Sequence, residues 1–342
     1  MAIFNRLCQM INVGITEPGT SIKSWAYQLQ NADPEEIATS NFDIIVIDYS
    51  RDGTDSGMYN PEEIEMIKES GKIVLAYLSI GEAEDYRFYW NDSWRENPPE
   101  WLGKENPEWP GNYPVRYWYE EWHEIIIRYV DKIISQGFNG LYLDRIDVFE
   151  YWSNPDNGEN FTISVEEAAK LMIDFVLKIA YYCRVERGIN DFLIVPQNGE
   201  NILEYDNGSY LDAISGIGIE DLWYEGLKPK DPEEISCRMH YIDIIKEAGK
   251  IVLSVEYVDD GSGYVGENKQ RIDDYYSKAR SKGYIPYAAL CDRKLDELNI
   301  IDGIQPPETE NLEEKTVGLL IVLIIMSLIS LAYKVIRSKS KS

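Results

Sequence analysis

Imidazole and thiol are scarce in this 342-residue chain, which has two histidines and four cysteines. Cys8, Cys183, Cys237 and Cys291 are widely separated and form no CxxC pair, which argues against a structural zinc and leaves disulfide pairing unassigned. His123 and His240 fall in helical patterns and read as surface or packing residues, and His123-Glu124 supplies too few ligands for zinc chemistry. No EF-hand spacing occurs, so neither a metal nor another cofactor is expected. Nucleotide binding lacks support too: Leu29 is followed by Gln-Asn-Ala-Asp-Pro, and no GxGxxG or GxxxxGK phosphate loop occurs anywhere. Positive charge is the last shortage, with 33 Lys and Arg against 60 Asp and Glu, a formal charge of -27. Such a field repels phosphate backbones, and no Lys/Arg-rich aromatic platform is present, so no nucleic acid partner is expected. It favours cationic ligands if the negative charge reaches a binding cleft; a solvated acidic surface is the plain alternative.

One long apolar run is present. Val317 to Tyr333, extended by Lys334, Val335 and Ile336, gives about 20 residues, enough to cross a hydrocarbon core. Glu313 and Glu314 precede it, while Lys334, Arg337, Lys339 and Lys341 lie at or beyond its end. The positive-inside rule then predicts a single-pass protein of the cell membrane, its tail cytoplasmic, its main domain outside and the lipid bilayer as a partner. Met1 to Gly14 shows no long apolar signal region, so either an export signal precedes this sequence or the domain is cytoplasmic on a tail anchor. Asn91, Asn160 and Asn207, each two residues before Ser or Thr, are compatible with export. The expected organisation is a lead-in over 1–20, a barrel domain over 21–300, an acidic linker over 301–316, a transmembrane helix over 317–336 and a basic tail over 337–342. No protein partner is inferred.

The main domain announces itself by repetition. Ile64 to Ala76 reads IEMIKESGKIVLA and Ile242 to Ser254 reads IDIIKEAGKIVLS, each a helix stopped at glycine and followed by a β-branched strand. Strands are predicted at Ser24–Leu29, Asp43–Asp48, Ile73–Ser79, Gly140–Asp144, Phe192–Pro196, Ala213–Gly218, Ile251–Glu256 and Tyr284–Ala289. Helices are predicted at Pro34–Thr39, Pro61–Ser70, Trp118–Gln136, Val165–Arg184, Pro232–Ala248 and Asn268–Lys282. Eight strands with intervening helices predict an α/β fold, a (β/α)8 TIM barrel followed by the C-terminal transmembrane helix; an open doubly wound sheet is the alternative.

In such a barrel the chemistry sits at the C-terminal strand ends, and acids recur there: Asp48, Glu82, Asp144, Asp147, Glu200, Glu220 and Glu256. Trp25, Tyr27, Tyr49, Tyr77, Trp223, Tyr224 and Tyr257 accompany them, some as core residues and some as flat faces suited to sugar rings. The connection from Arg87 to Tyr117, rich in tryptophan and proline, reads as a structured rim loop. Paired carboxyls in an aromatic cleft match the need of glycosidic cleavage, where one protonates the leaving oxygen and the other attacks carbon or activates water. On the residues alone Glu200, Glu220 and Glu256 are equally reachable as the acid/base.

Certain phrases at successive strand ends carry a resemblance: WAYQL at Trp25–Leu29, IDYS at Ile47–Ser50, YLSIGEAE at Tyr77–Glu84 with Arg87, GLYLDRID at Gly140–Asp147 and QNGE at Gln197–Glu200. From about Trp25 to Leu298 the chain resembles glycoside hydrolase family 114, the endo-α-1,4-polygalactosaminidase-like barrels. The resemblance implies an extracellular barrel cleaving α-1,4-linked galactosamine-rich polysaccharide, with that cationic amino-sugar polymer as partner. It implies Asp144 as nucleophile and Glu220 as general acid/base. Trp25, Tyr27, Asp48, Tyr49, Tyr77, Glu82, Arg87, Asp147, Asn198, Glu200, Trp223, Glu256 and Tyr257 are expected to bind substrate or hold the pair; Glu256 stands where many members carry aspartate. A non-catalytic membrane-tethered carbohydrate-binding barrel, or a hydrolase of another α-linked glycan, is the alternative.

Overall fold

The structure, a computed structural model, describes residues 22–307. Eight buried runs, most of them rich in Ile, Val and Leu and the first built on Trp25 and Tyr27, form parallel strands: β1 (Trp25–Gln28), β2 (Ile44–Ile47), β3 (Ile73–Ser79), β4 (Gly140–Asp144), β5 (Leu193–Pro196), β6 (Gly216–Glu220), β7 (Ile251–Asp259) and β8 (Ile285–Leu290). Strands with no polar face are stable only when both faces are covered. β1 to β5 pair in chain order, as do β6 to β8. Between the two groups, Ser215 N–H donates to Ile194 O at 2.7 Å and Gln197 bridges to Gly218. The other seam is crossed by the Trp25 indole N–H, which donates to Ile285 O at 2.9 Å, and by Leu29 N–H donating to Leu295 O at 2.8 Å. The result is a barrel-like α/β domain. Trp25, Tyr27, Tyr142 and Tyr287 fill its interior with ring centroids 5.4 to 6.1 Å apart.

The covering helices start where the sequence signals them. Asp33, Asn60 and Asp231 cap α1 (Pro34–Thr39), α2 (Pro61–Glu69) and α7 (Pro232–Glu247), each with proline in the first turn, and Asn60 forms a capping box with Glu63. The outer layer also holds α3 (Glu120–Gln136), α4 (Val148–Ser153), α5 (Val165–Tyr181), α6 (Ser209–Ala213) and α8 (Gly266–Ser281). Both copies of the repeated phrase behave alike. Gly71 and Gly249 take φ of +90° and +79° after α2 and α7, and Lys72 and Lys250 lead into β3 and β7 as buried residues.

Two expectations are corrected. The sixth strand begins at Gly216 rather than Ala213, because Ser209–Ala213 coils into α6, where the Asp206 carboxylate accepts the N–H groups of Tyr210 and Leu211 at 3.0 Å each. The second concerns the membrane. Among the described residues no helix is long and apolar enough to cross one. The two longest, α3 and α5, have 17 residues each, roughly 25 Å against a core of about 30 Å, and both carry charged side chains. The transmembrane helix expected over 317–336 lies outside the described residues, and the bilayer partner and single-pass membrane placement built on it are withdrawn. The lead-in over 1–20 also lies outside them. At the start of the expected linker, Gln305 is buried against β8, its side chain accepting Ala288 N–H at 2.7 Å and donating to Ala288 O at 2.9 Å.

Candidate active site

A cleft of about 510 Å³ opens at the C-terminal ends of the strands. Its floor is polar because every strand of the wall ends there. Asp144, the last residue of β4, accepts the Tyr77 hydroxyl at 2.6 Å on one oxygen and the Arg145 N–H at 2.7 Å on the other. Burial raises its carboxyl above the ordinary value, against the pull of the Arg145 guanidinium and the Tyr77 hydroxyl. Glu220, the last residue of β6, is held by neutral donors: the Tyr257 hydroxyl on one oxygen and the Gln197 amide at 2.8 Å on the other. Burial pushes it up to about 7, opposed by the Tyr257 hydrogen bond. Tyr27, Tyr77 and Tyr257 are raised well above the phenol range by burial, so their hydroxyls stay protonated and serve as donors.

The other wall is ionic. Arg87 is buried between Asp48, at 2.7 Å, and Glu84, at 2.6 Å. Burial pushes Asp48 up to about 6 in spite of the Arg87 guanidinium. Glu82 meets Arg145 at 3.2 Å and the Asn106 amide at 3.0 Å, and burial raises it too. Glu82–Glu84 pairs with Asn112–Pro114 as a short antiparallel ribbon, which ties the rim loop to the barrel mouth and brings Trp109 and Pro110 to the cleft.

Three successive turns share a backbone signature. Arg145, Asn198 and Asp221, in the turns that follow β4, β5 and β6, take φ of 63°, 54° and 51°, a left-handed conformation that ordinary residues avoid. Non-glycine residues in that conformation gather where structure around them overdetermines the backbone, often at functional sites. Gly218 of β6 is needed for space, since a Cβ there would meet the Tyr142 hydroxyl at 1.9 Å.

Among the expected site residues, Asp144, Glu220, Tyr27, Asp48, Tyr77, Glu82, Arg87, Asp147, Asn198 and Tyr257 line this one cleft. Glu200 lines an adjoining basin of about 460 Å³ and is engaged by Arg238 of α7 at 2.5 Å. Trp25 and Tyr49 are buried core residues. Trp223 packs between Tyr275 and Tyr284, and Glu256 is buried beneath the turn after β6, accepting the N–H groups of Leu222 and Trp223 at 2.8 Å and of Tyr224 at 3.2 Å. Sequence reasoning did not single out Gln197, Arg145, Tyr86, Asn112 or Arg293 as site residues, although all line the cleft. Gln197 and Arg145 lay inside phrases already noted, and their place directly beside a strand-end acid or amide was the available signal. Among the described residues no group of three His, Cys, Asp or Glu side chains could hold a metal ion.

A sequence model of glycoside-hydrolase family GH114 matches residues 11–305. The chain belongs to this family. It is a GH114-type glycoside hydrolase, and its relatives extend across archaea and bacteria. It is similar to an uncharacterised protein of Methanocaldococcus jannaschii, 56% identical over 276 residues that cover 80% of this chain and 78% of that one. It is 54% identical to an uncharacterised protein of Thermotoga maritima over 285 residues, covering 83% and 86%. Among solved structures, the glycoside hydrolase domain of PelA from Pseudomonas aeruginosa aligns with a TM-score of 0.59 at 16% identity, over 81% of this chain and 97% of that one. Aspergillus fumigatus Ega3, solved in complex with galactosamine, aligns at 0.58 and 17% identity, over 83% and 97%. Likeness at that identity is likeness of fold.

Proposed function

We propose that this GH114 protein cleaves α-1,4-linked galactosamine-rich polysaccharide internally, with Asp144 as nucleophile and Glu220 as general acid/base, and that residues 21–300 form the catalytic domain. The observation that carries the reading is that two strand-end carboxyls open on one cleft with different partners. Asp144 faces a hydroxyl, an amide N–H and a nearby guanidinium, all of which favour its ionised form. Both side-chain hydrogen bonds to Glu220 come from neutral donors, and burial, opposed by the Tyr257 bond and the more distant Arg293 guanidinium, pushes it up to about 7, where a proton is held and released near neutrality.

In the first step the Asp144 carboxylate attacks the anomeric carbon while the glycosidic C–O bond breaks and the Glu220 proton passes to the leaving oxygen. In the second, Glu220 takes a proton from water, the hydroxide bonds to the anomeric carbon and the Asp144–sugar bond breaks. Two displacements return the starting configuration. The substrate class follows from charge. Arg87 and Arg145 are engaged by Asp48, Glu84, Glu82 and Asp147, which leaves Asp144 and Glu220 facing the cleft without a dedicated counter-ion in direct contact. A protonated amino sugar supplies one, and the galactosamine bound to Ega3 supports that choice.

The test is incubation of the full chain with partially deacetylated α-1,4-galactosamine polymer, followed by mass analysis of the products. D144N and E220Q should stay folded and lose roughly 10²- to 10⁴-fold in turnover. Cleavage confined to neutral or acidic glycans would sink the substrate class, and full activity in E220Q would sink the acid/base assignment.

A further inference from the structure

Glu220 receives one of its two hydrogen bonds from a side-chain amide, and an amide can face either way. The Gln197 Nε2 group donates to Glu220 Oε2 at 2.8 Å, while Gln197 Oε1 accepts the Tyr27 hydroxyl at 3.0 Å. Both Gln197 and Tyr27 are almost fully buried. Tyr27 is itself fixed, stacked on Trp25 at 5.9 Å and packed on Tyr142 at 5.4 Å. Turning the Gln197 amide over would set Oε1 against the Glu220 carboxyl and leave the buried Tyr27 proton without its acceptor. An unmet buried donor is costly, so Tyr27 holds the amide with its N–H side toward Glu220.

We propose that Tyr27, which does not hydrogen-bond to Glu220, is a positioning residue that locks the Gln197 amide and thereby sets the protonation of Glu220 and the oxygen that carries its proton. With Oε2 facing an N–H donor, the proton of the acid form sits on Oε1, the oxygen beside the Tyr257 hydroxyl. A locked donor also favours the carboxylate form and opposes burial, which raises Glu220. The other groups facing Glu220 are Asp144 and Tyr142 of β4, its neighbour Asp221, Arg238 of α7, which donates to the Glu220 backbone carbonyl at 2.9 Å, Tyr257 of β7 and Arg293 beyond β8, which packs over the Tyr257 ring at 3.9 Å. None of them hydrogen-bonds to the Gln197 amide, and Tyr142 meets Tyr27 only ring to ring, a contact that Y27F keeps, so the contribution of the lock can be removed alone. The inference rests on the reading of Glu220 as acid/base only for its kinetic consequence.

The experiment is a ¹³C NMR titration of the Glu220 carboxyl in the full chain, its signal identified by loss in E220Q. Y27F frees Gln197 to turn Oε1 toward Glu220, which stabilises the protonated form. The midpoint should rise by about one pH unit, the size expected from exchanging one hydrogen bond to a charged group. Q197L should raise it as well, and Y27F/Q197L should match Q197L alone, because Tyr27 acts only through the amide. Where cleavage is measured, the alkaline limb of kcat should move up with the midpoint, whereas a merely structural role would lower kcat without moving that limb. A wild-type midpoint in Y27F, or shifts that add in the double variant, would overturn the proposal. A reading that needs no Tyr27 variant comes from the wild-type Gln197 side-chain ¹⁵N–¹H signals, which should move with the Glu220 midpoint; signals indifferent to it would overturn the lock. Failure to cleave any galactosamine polymer would defeat the proposed function and leave these titrations standing.

Discussion

Glu220 and Glu256 lie on neighbouring strands, where Val255 pairs with Glu220 and places Glu256 one residue further along. Burial raises both, to about 7 and about 8. Their partners nevertheless differ in kind. The Glu256 oxygens are occupied by three backbone N–H groups of the turn at 222–224, and the residue is wholly buried. The Glu220 oxygens meet two side chains, which can give way, and the residue opens on the cleft. A raised carboxyl therefore marks a functional group only when its partners leave it free to exchange a proton with something that arrives.

The contrast can be broken in three ways. The largest effect belongs to E256Q. It removes one of the two acceptor oxygens that the three backbone donors share and should cost about 1–3 kcal/mol of stability, read by chemical denaturation, with turnover of the folded fraction largely kept. E220Q should show the reverse, an unchanged denaturation midpoint and lost turnover. The second effect is on pH dependence. Both groups lie above their ordinary 4.5, so the folded state holds their protons more tightly than the unfolded chain does. Their stabilising contribution is full below about pH 4.5 and is lost as pH rises through about 7 and then about 8. Unfolding free energy measured across that window should fall less steeply in E256Q, and an unchanged slope would refute the assignment. The smallest effect is at the rim, where Trp109 is 52% exposed and lines the cleft. W109A should raise KM for the polymer about five-fold, roughly 1 kcal/mol, with kcat unchanged; an equal fall in kcat would place Trp109 nearer the chemistry.

Much of the wall was legible because β-branched runs and capped helix starts are local signals. β3 and β4 and the helix Pro34–Thr39 match their expected bounds, and the repeated phrase marks two equivalent helix-to-strand passages. β6 was misplaced by local chemistry. Its sequence, GIGIE, has little strand propensity, and its Gly218 answers to Tyr142 across the barrel. In the site, the acids were visible as strand-end residues, but their division of labour was not. Glu200 and Glu256 differ from Glu220 only through Arg238 and through a bracket of backbone amides, contacts that join residues 32 to 38 positions apart. Tyr27 and Gln197 are 170 residues apart, and nothing local in either sequence announces their hydrogen bond.

The left-handed residues that follow β4, β5 and β6 have a consequence for diversification. Asp144 and Glu220 are each the last residue of their strand, and the chain turns sharply immediately beyond them. Their positions are thus inherited from strand pairing, while the segments past the turns are free to vary in length and composition. Exchanging those segments among relatives should change which polymer is accepted and leave the proposed pair in place, so the domain would serve as a scaffold for recombining specificities.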